Sequence, residues 1–414
     1  MSADADAAAA PAAAGAAAAA GEGQSYALDR ACKKYNTAED VATIVDALRS
    51  LPSLRHVQLG GNTYGVDACV AIAAALAEQH DLAEADLADI FTTRLTSEIP
   101  PAVAAFAAAL SNKQHLHTVN VADNAFGPFG AKPLQSWIAQ GRWIRTWDLN
   151  NLGLGIAGAK LIAEALVQLA ATNTAAGAAS ALETLVIGRN RLETDGVTAL
   201  APALQLHTNL RCVRMPQDAI RPEGIATLLD ALRACPLLEE IDLNDNIFTE
   251  KGSTALAAAL PSWPRLKVLD VGDCLLGAAH GPAVIRALTD RHAALERLNL
   301  AYNELDKTAA ALLPTMLANK TRLASLELSG NAFPAEGLIV ALIQSALDAH
   351  GHGDALGELE DMESEDGSGS GSDADTDSDA GSGSGSGSDA DAARAEPKDA
   401  AVDALTDAMA KTRV

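Results

Sequence analysis

Aromatic residues make up only 3% of this 414-residue chain, so burial has to come from Ala, Leu, Val and Ile. Cysteine is scarce as well. The five, Cys32, Cys69, Cys212, Cys235 and Cys274, are odd in number and show no C-x-x-C or Cys/His ligand spacing, which argues against a disulfide framework or a metal site. Basic charge is short: 30 Lys and Arg face 54 Asp and Glu, a net charge of −24. Residues 354–391 hold thirteen acids and no Lys or Arg, leaving −11 on the rest of the chain. Such a chain repels nucleic acid and anionic membranes and favours encounter with a basic protein. The Ala-rich start, Ala7 to Ala20, has neither the basic flank and strongly apolar core of an export signal nor the arginines of a transit peptide. Pro11, Gly15 and the weak apolarity of alanine argue against a membrane span there. The expectation is a soluble, reduced, intracellular protein.

Chemical signatures are missing too. There is no Ser-His-Asp order with a nucleophile elbow, no phosphate loop and no metal cluster. His350 and His352 form an isolated H-G-H-G pair, for which a metal site is much the weaker reading. A self-contained active site is not expected.

What the chain does have is an eleven-residue phrase, L-x-x-L-x-L-x-x-N-x-L, written ten times. It starts at Leu54, Leu82, Leu116, Ile144, Leu182, Leu210, Leu238, Leu266, Leu295 and Leu323. Seven of the nine steps are 28 or 29 residues; the step from Leu82 is 34 and that from Ile144 is 38. This is the leucine-rich repeat signature. The L-x-L segment alternates as a short strand, and the Ala/Leu-rich stretch after it has helical period. The reading is an α/β horseshoe like ribonuclease inhibitor, about ten repeats, with parallel strands inside and helices outside. One repeat cannot bury its apolar face; a stack of them makes one core.

Four segments follow. Residues 1–23 are Ala-rich and read as disordered. Residues 24–350 hold the repeats and an N-terminal cap, whose helix opens at Thr37-Ala38-Glu39-Asp40 and presents Val41, Ile44, Val45 and Leu48 on one face. Residues 351–396 read as an acidic, disordered Gly/Ser/Asp tail. Residues 397–414 carry Val402, Leu405 and Met409 on one potential helical face, either a solvated helix or a docking one. The longer steps place extra residues around Ile90 to Pro101 and near Ala170 to Ser180, the latter as a helix extension or a loop.

The repeat also works as a coordinate system. Phrase positions 1, 4, 6 and 11 are buried, so position 5 points onto the concave face. It reads Gln58, Asp86, Asn120, Asp148, Val186, Arg214, Asp242, Asp270, Asn299 and Glu327, five acids against one base. Any solvated strand face is polar, but this sign bias suggests a surface for a basic protein. Position 9 is the ladder position, where an Asn side chain bonds neighbouring backbone; six of ten are Asn, and Cys274 stands at another as a structural thiol. Ile90 and Leu152 interrupt the ladder in the two lengthened repeats, where a rebuilt turn is expected. Position 8 lines a rim, and from Asp89 to Asp273 every residue there is polar or charged, which repeat mechanics alone does not require. Asn151 is central, with Asp123 and Arg189 one repeat away on either side and Arg94 in the first insertion within reach.

Several of these segments are specific. A-D-I-F-T-T-R (88–94), S-E-I-P (97–100), D-N-A-F-G-P (123–128), G-L-G (153–155), A-G-A-K (157–160), G-R-N-R-L-E (188–193), I-R-P-E-G-I (220–225), S-W-P-R-L (262–266) and D-C-L-L (273–276) occur in order across successive repeats. Over 25–350 the chain closely resembles the Ran GTPase-activating proteins, and the acidic tail continues the likeness.

That resemblance implies an activator of GTP hydrolysis on the small GTPase Ran, serving nucleocytoplasmic transport and acting in trans rather than as an enzyme with its own hydrolytic site. It implies a mechanism without an arginine finger, in which a rim asparagine orients Ran's own glutamine. Asn151 matches that asparagine, while Leu152 stands where the family's loop has its second Asn and Ile156 where it usually has Pro. Arg94 and Arg189 match partner-contacting arginines, and Asp123 joins them by neighbourhood. Ran in its GTP form is the implied partner, with a Ran-binding protein in a ternary complex. No cofactor belongs to the chain itself, since GTP and Mg²⁺ come with the GTPase. The implied location is the cytoplasm, including the perinuclear region or nuclear envelope. The four tryptophans, Trp137, Trp143, Trp147 and Trp263, all lie in the repeats, so a plant-type Trp-Pro-Pro envelope-targeting domain is not evident, nor is the vertebrate-type C-terminal domain. The competing reading is a non-catalytic repeat scaffold or inhibitor of a basic protein. An innate-immunity or actin-capping repeat protein would share the period but not the rim motifs.

Overall fold

The computed structural model describes residues 24–363. Eleven parallel strands form one sheet in chain order, from Gln24–Ala27 and Leu54–Gln58 through Thr146–Asp148 to Ser325–Glu327. Each strand from Glu84–Asp86 onward is three residues long with the middle residue buried. The register stacks Ala85, Val119, Trp147, Leu185, Val213, Ile241, Leu269, Leu298 and Leu326 in one column. The same register stacks the position-5 residues from Asp86 to Glu327 beside it, half-buried on the open face. A helix follows nearly every strand and packs against the helix before and after it. This is the expected α/β leucine-rich repeat horseshoe, with one continuous apolar core between sheet and helices.

The N-terminal cap adds a strand that the apolar pattern did not reveal. Gln24–Ala27 pairs with Leu54–Gln58 and extends the sheet ahead of the first repeat. The cap helix is Ala42–Arg49, burying Ile44 and Leu48. The backbone N–H of Asp40 donates to Thr37 Oγ1, and Asp40 Oδ2 accepts from the backbone of Asn36 and Thr37.

Three ladders run along the stack. The first is the asparagine ladder: Asn190 Oδ1 accepts from the backbone N–H of Leu152 and Leu154, and its Nδ2 donates to Leu149 and Ile187 carbonyls. Asn124, Asn246, Asn303 and Asn331 repeat the pattern. The Cys274 thiol serves the same carbonyl positions, Leu243 and Gly272. A second ladder closes helix ends, where carbonyls have no intrahelical partner. Lys113, Trp263, His292, Lys320 and His350 each donate to a carbonyl at the end of the preceding repeat's helical segment, while His207 donates to Leu166 O within the long helix. His350 and His352 are therefore spoken for by Ala318 O and Thr321 O. The third is electrostatic: Arg145, Glu183, Arg211, Glu239 and Lys267 alternate in sign at position 2 and pair across repeats. Exposed pairs of this kind contribute roughly 0.2–1 kcal/mol each.

The extra residues of the longer steps follow two designs. The second step lengthens one helix, Gly155–Ala175, to 21 residues. The first makes a turn-rich loop before the helix Ile99–Leu110. Neither rebuilds the rim turn, contrary to expectation. Asp89 and Asn151 keep the same left-handed backbone as position 8 elsewhere. Asn124 and Asn190 of the next repeats accept the Ile90 and Leu152 N–H, so an apolar residue at position 9 leaves that donor satisfied.

At the C-terminal end the expected boundary at 350 moves. Residues 351–363 lie against the last repeat rather than in a tail. Leu356 bridges to Leu326, Gly330 N–H donates to Glu360 O, and Tyr302 Oη donates to Asp361 Oδ2 at 2.9 Å. Asp361 repeats the left-handed φ of position 8, at 53°. The segment is a degenerate eleventh turn that covers the sheet edge left open by Ser325–Glu327. The remainder of the acidic stretch, the Ala-rich start and the 397–414 segment lie outside the described residues.

Candidate functional site

The rim is built by the turn that follows each strand. At position 8 the backbone is left-handed throughout: Gly61, Asp89, Asp123, Asn151, Arg189, Gln217, Asp245, Asp273, Tyr302 and Gly330 all have φ between 50° and 75°. Gly, Asn and Asp tolerate that conformation best. The polar run at position 8 is thus largely a backbone requirement, which corrects the sequence-based view that the repeat does not call for it. In the Asn151 repeat, Gly153 and Gly155 meet the same demand at φ 67° and 57°, which accounts for G-L-G. Arg189, Gln217 and Tyr302 are not favoured by it, nor are Arg191 and Glu193, which also sit at positive φ.

Function has to be read from side-chain contacts instead. Asn151 Nδ2 donates to Asp123 Oδ1 at 2.9 Å, bridging two repeats across the rim, and both side chains are exposed. Their backbones are held from the next repeat along: Asp123 N–H donates to Asn150 O and Asn151 N–H to Gly188 O. Gly127 N–H also donates to Leu152 O, tying the turn that enters the helix Gly127–Gln140 to the Asn151 loop. Arg189 stands one repeat further on, exposed and left-handed, in no ion pair among the described residues. The structure so brings Asn151 and Asp123 together and sets Arg189 beside them.

Arg94 is elsewhere, and here the sequence-based expectation needs correction. Its guanidinium turns inward: Nε donates to Thr63 Oγ1 at 2.9 Å, Nη1 to Asn36 Oδ1 at 2.7 Å, and Nη2 to the carbonyls of Tyr35 and Thr63. Glu98 lies 3.8 Å away, and the Arg94 side chain is only 9% exposed. It is a strut joining the first insertion to the cap and first repeat rather than a free contact. Its anchors Tyr35, Asn36 and Thr63 carry no motif, so pattern reading had no signal for them.

The concave face carries the acids as read, but with partial compensation. Arg214 pairs with Glu240 at 2.7 Å, and Asn244 and Asn299 both donate to Asp270 Oδ1. Burial and then nearby Asp270 push Asp242 up to about 6, and burial raises Asp148. A concavity of about 390 Å³ there is lined by Arg214, Glu240, Asp242, Asp270, Arg297 and Glu327, among others.

Nucleophilic chemistry has little support in the described residues. Burial pushes the Cys69 and Cys212 thiols up to about 12 and Cys235 to about 11, and raises Cys274 as well. Ser180 Oγ and His207 Nδ1 are 2.6 Å apart, but both are buried and tie the loop after the long helix to the next repeat. Among the described residues no group of three or more His, Cys, Asp or Glu is placed to hold a metal ion.

Comparison with known proteins agrees with the repeat geometry. The Leucine Rich repeat family model matches residues 112–134. Ran GTPase-activating protein 1 of Saccharomyces cerevisiae is 32% identical over 336 residues, 78% of this chain and 82% of that protein. Ran GTPase-activating protein 1 of Xenopus laevis is 38% identical over 190 residues, 45% of this chain, and the Drosophila melanogaster Ran GTPase-activating protein is 37% identical over 317 residues, 76% of this chain. The chain spans 33% of the length of the Xenopus protein and 53% of the Drosophila one. With the yeast relative aligned over most of both chains, this chain belongs to the Ran GTPase-activating protein family.

Proposed function

We propose that this protein accelerates GTP hydrolysis on Ran in its GTP-bound form, acting in trans on the GTPase's own hydrolytic site. The observation that carries the proposal is the Asn151–Asp123 hydrogen bond on the exposed rim. It engages the Asn151 Nδ2 with Asp123, so Oδ1 is the atom left to meet a partner. An amide oxygen accepts a hydrogen bond, so it suits the side-chain N–H of the GTPase's glutamine, the group that positions the attacking water. Fixing that glutamine lowers the barrier through pre-organisation. Arg94 supplies no finger in this reading, because its donors are already used within the fold. Asp123 positions Asn151, and Arg189 contacts the partner. The acids of the concave face attract a basic GTPase surface and set a salt-sensitive encounter rate.

In cells this activity would keep Ran-GTP low in the cytoplasm and at the outer nuclear envelope, supporting directional nuclear transport, with a Ran-binding protein joining a ternary complex. Nucleotide and Mg²⁺ are brought by the GTPase.

The test is single-turnover hydrolysis by GTP-loaded Ran with substoichiometric amounts of this chain. Rate enhancement at each added concentration, with turnover over many Ran molecules, is expected. The same acidic concave face would serve a non-catalytic scaffold. Tight, salt-sensitive binding with no change in hydrolysis would establish that second reading and overturn the first.

A further inference from the structure

Phe129 is 81% exposed, more than the other outward-facing large apolar side chains among the described residues. It lies in the first turn of the helix Gly127–Gln140, whose core-facing side is Gly130, Ala131, Leu134, Trp137 and Ile138. Phe129 falls on the opposite face, with exposed Lys132 and Ser136. Helical periodicity would place a polar residue there. A phenylalanine in that position leaves a large apolar surface in water with no partner in the fold.

Its location is specific. The turn that carries it is hydrogen-bonded to the Asn151 loop through Gly127 N–H and Leu152 O at 3.0 Å. Gly127 takes φ 56°, with open space where a side chain would project. Asp123, the acceptor that orients Asn151, is in the same rim turn six positions earlier in the chain. The helix turn that carries Phe129 is thus tied through its backbone to the loop of Asn151, the residue proposed above to meet the partner.

We propose that Phe129 is an apolar anchor and a further partner-binding residue. It would seat an apolar depression on the GTPase surface next to the nucleotide cleft, so that Asn151 meets its target in register. Binding hot spots are characteristically aromatic side chains that become fully desolvated, ringed by polar contacts. Acidic residues on the concave face speed encounter, while a buried ring slows dissociation. The inference rests on the function proposed above and adds a residue to its interface.

The test compares wild type with Phe129→Ala, Phe129→Leu and a remote control, Leu338→Ala, at the exposed first residue of the helix Leu338–Asp348. Binding to GTP-loaded Ran and multiple-turnover kinetics are both measured at two salt concentrations. Phe129→Ala is expected to raise KM and Kd about tenfold, which is the loss of roughly 1.4 kcal/mol, with kcat changed less than twofold. Phe129→Leu should recover most of the affinity, and Leu338→Ala should match wild type. The salt dependence should stay the same, because no charge is removed. Unchanged KM and Kd in Phe129→Ala would overturn the inference while leaving the activity standing. So would an effect confined to self-association, read by sedimentation of the chain alone. If wild type neither binds nor stimulates Ran, the underlying function fails, and the anchor with it.

Discussion

Asn151 Nδ2 donates to Asp123 Oδ1 across 2.9 Å, so the residue proposed to act on the partner is oriented by a carboxylate of the preceding repeat. The two sites should therefore respond differently to substitution. Asn151→Ala removes the acting group and is expected to lower the stimulated hydrolysis rate about 100-fold, the scale seen when one positioned hydrogen-bonding group is lost from a reaction centre. Asp123→Ala leaves Asn151 in place but free to rotate, and about a tenfold loss is expected, the equivalent of one ordinary hydrogen bond. Asp123→Asn keeps an acceptor oxygen and should retain most of the rate. Single-turnover rates at saturating partner, with circular dichroism to confirm the fold, check the series. Equal losses in Asp123→Asn and Asp123→Ala would show that orientation is not its role.

Arg94 provides the opposite case. Its guanidinium makes four hydrogen bonds to the cap and first repeat, with the side chain nearly covered. Arg94→Ala strands the Tyr35 and Thr63 carbonyls and is expected to cost about 2–4 kcal/mol of stability, within the range for breaking a hydrogen-bonded, partly buried network. Arg94→Lys should recover little, because a single ammonium cannot reach Asn36, Tyr35 and Thr63 in the guanidinium's planar geometry. Denaturant titration of both variants measures this. A finger would behave otherwise: hydrolysis would collapse while the unfolding midpoint stayed at the wild-type value.

Asp218 stands where the ladder elsewhere has asparagine, and it adds a pH dependence. It is fully buried; Oδ1 accepts from the backbone of Asn190 and Leu192, and Oδ2 has no partner. By register, an amide nitrogen there would serve the carbonyls of Ile187 and Met215. Burial pushes the Asp218 carboxyl up to about 7 from an ordinary 3.8. The folded protein thus binds this proton more tightly than the unfolded chain does. Its contribution to stability is complete below about 3.8 and is lost as pH rises through about 7. Asp218→Asn supplies the donor without the charge. It should gain on the order of 1–3 kcal/mol over wild type at pH 8, with the advantage shrinking steadily as the pH falls toward 4.5. Unfolding free energies across that range check it, and a gain independent of pH would refute the assignment.

The pattern of Leu54, Leu82 and their successors carried the architecture because it reports burial, which is a property of each residue's own position. It placed Asp86 to Glu327 on the open face for the same reason. It also picked out Asn151, with Asp123 and Arg189 on either side. Three things were not visible in it. The left-handed backbone at position 8 is a property of the turn, and only the recurrence of Gly, Asn and Asp there hints at it. Arg94 reads like any rim arginine, since its partners Asn36 and Tyr35 lie more than fifty positions away in the chain. The covering segment 351–363 hides because its first residues, Gly-His-Gly-Asp, break the Leu phrase and its acids read as the beginning of a tail.

That segment gives the last prediction. An open parallel sheet exposes a row of unpaired backbone groups at each end, and a solenoid needs a terminal cover for its last apolar face. Here the cover is made by Leu356 and Gly357 against Leu326, Glu360 against Gly330, and Asp361 against Tyr302. Leu356, Leu359 and Met362 also pack against the core. A chain ending after Glu363 keeps all of these and should unfold with the wild-type midpoint and slope. A chain ending after His350 loses them, baring the Leu326 strand. It should unfold earlier, with the last repeats melting ahead of the rest, because each repeat is supported chiefly by its neighbours. Hydrogen exchange resolves the difference by position: protection should fall over 295–350 and hold over 118–190, where the Asn151–Asp123 rim lies. Stimulation of Ran by the shorter chain should consequently persist at temperatures below that early transition. Uniform loss of protection along the array would mean that the repeats unfold as one unit and that 351–363 is not a local cap.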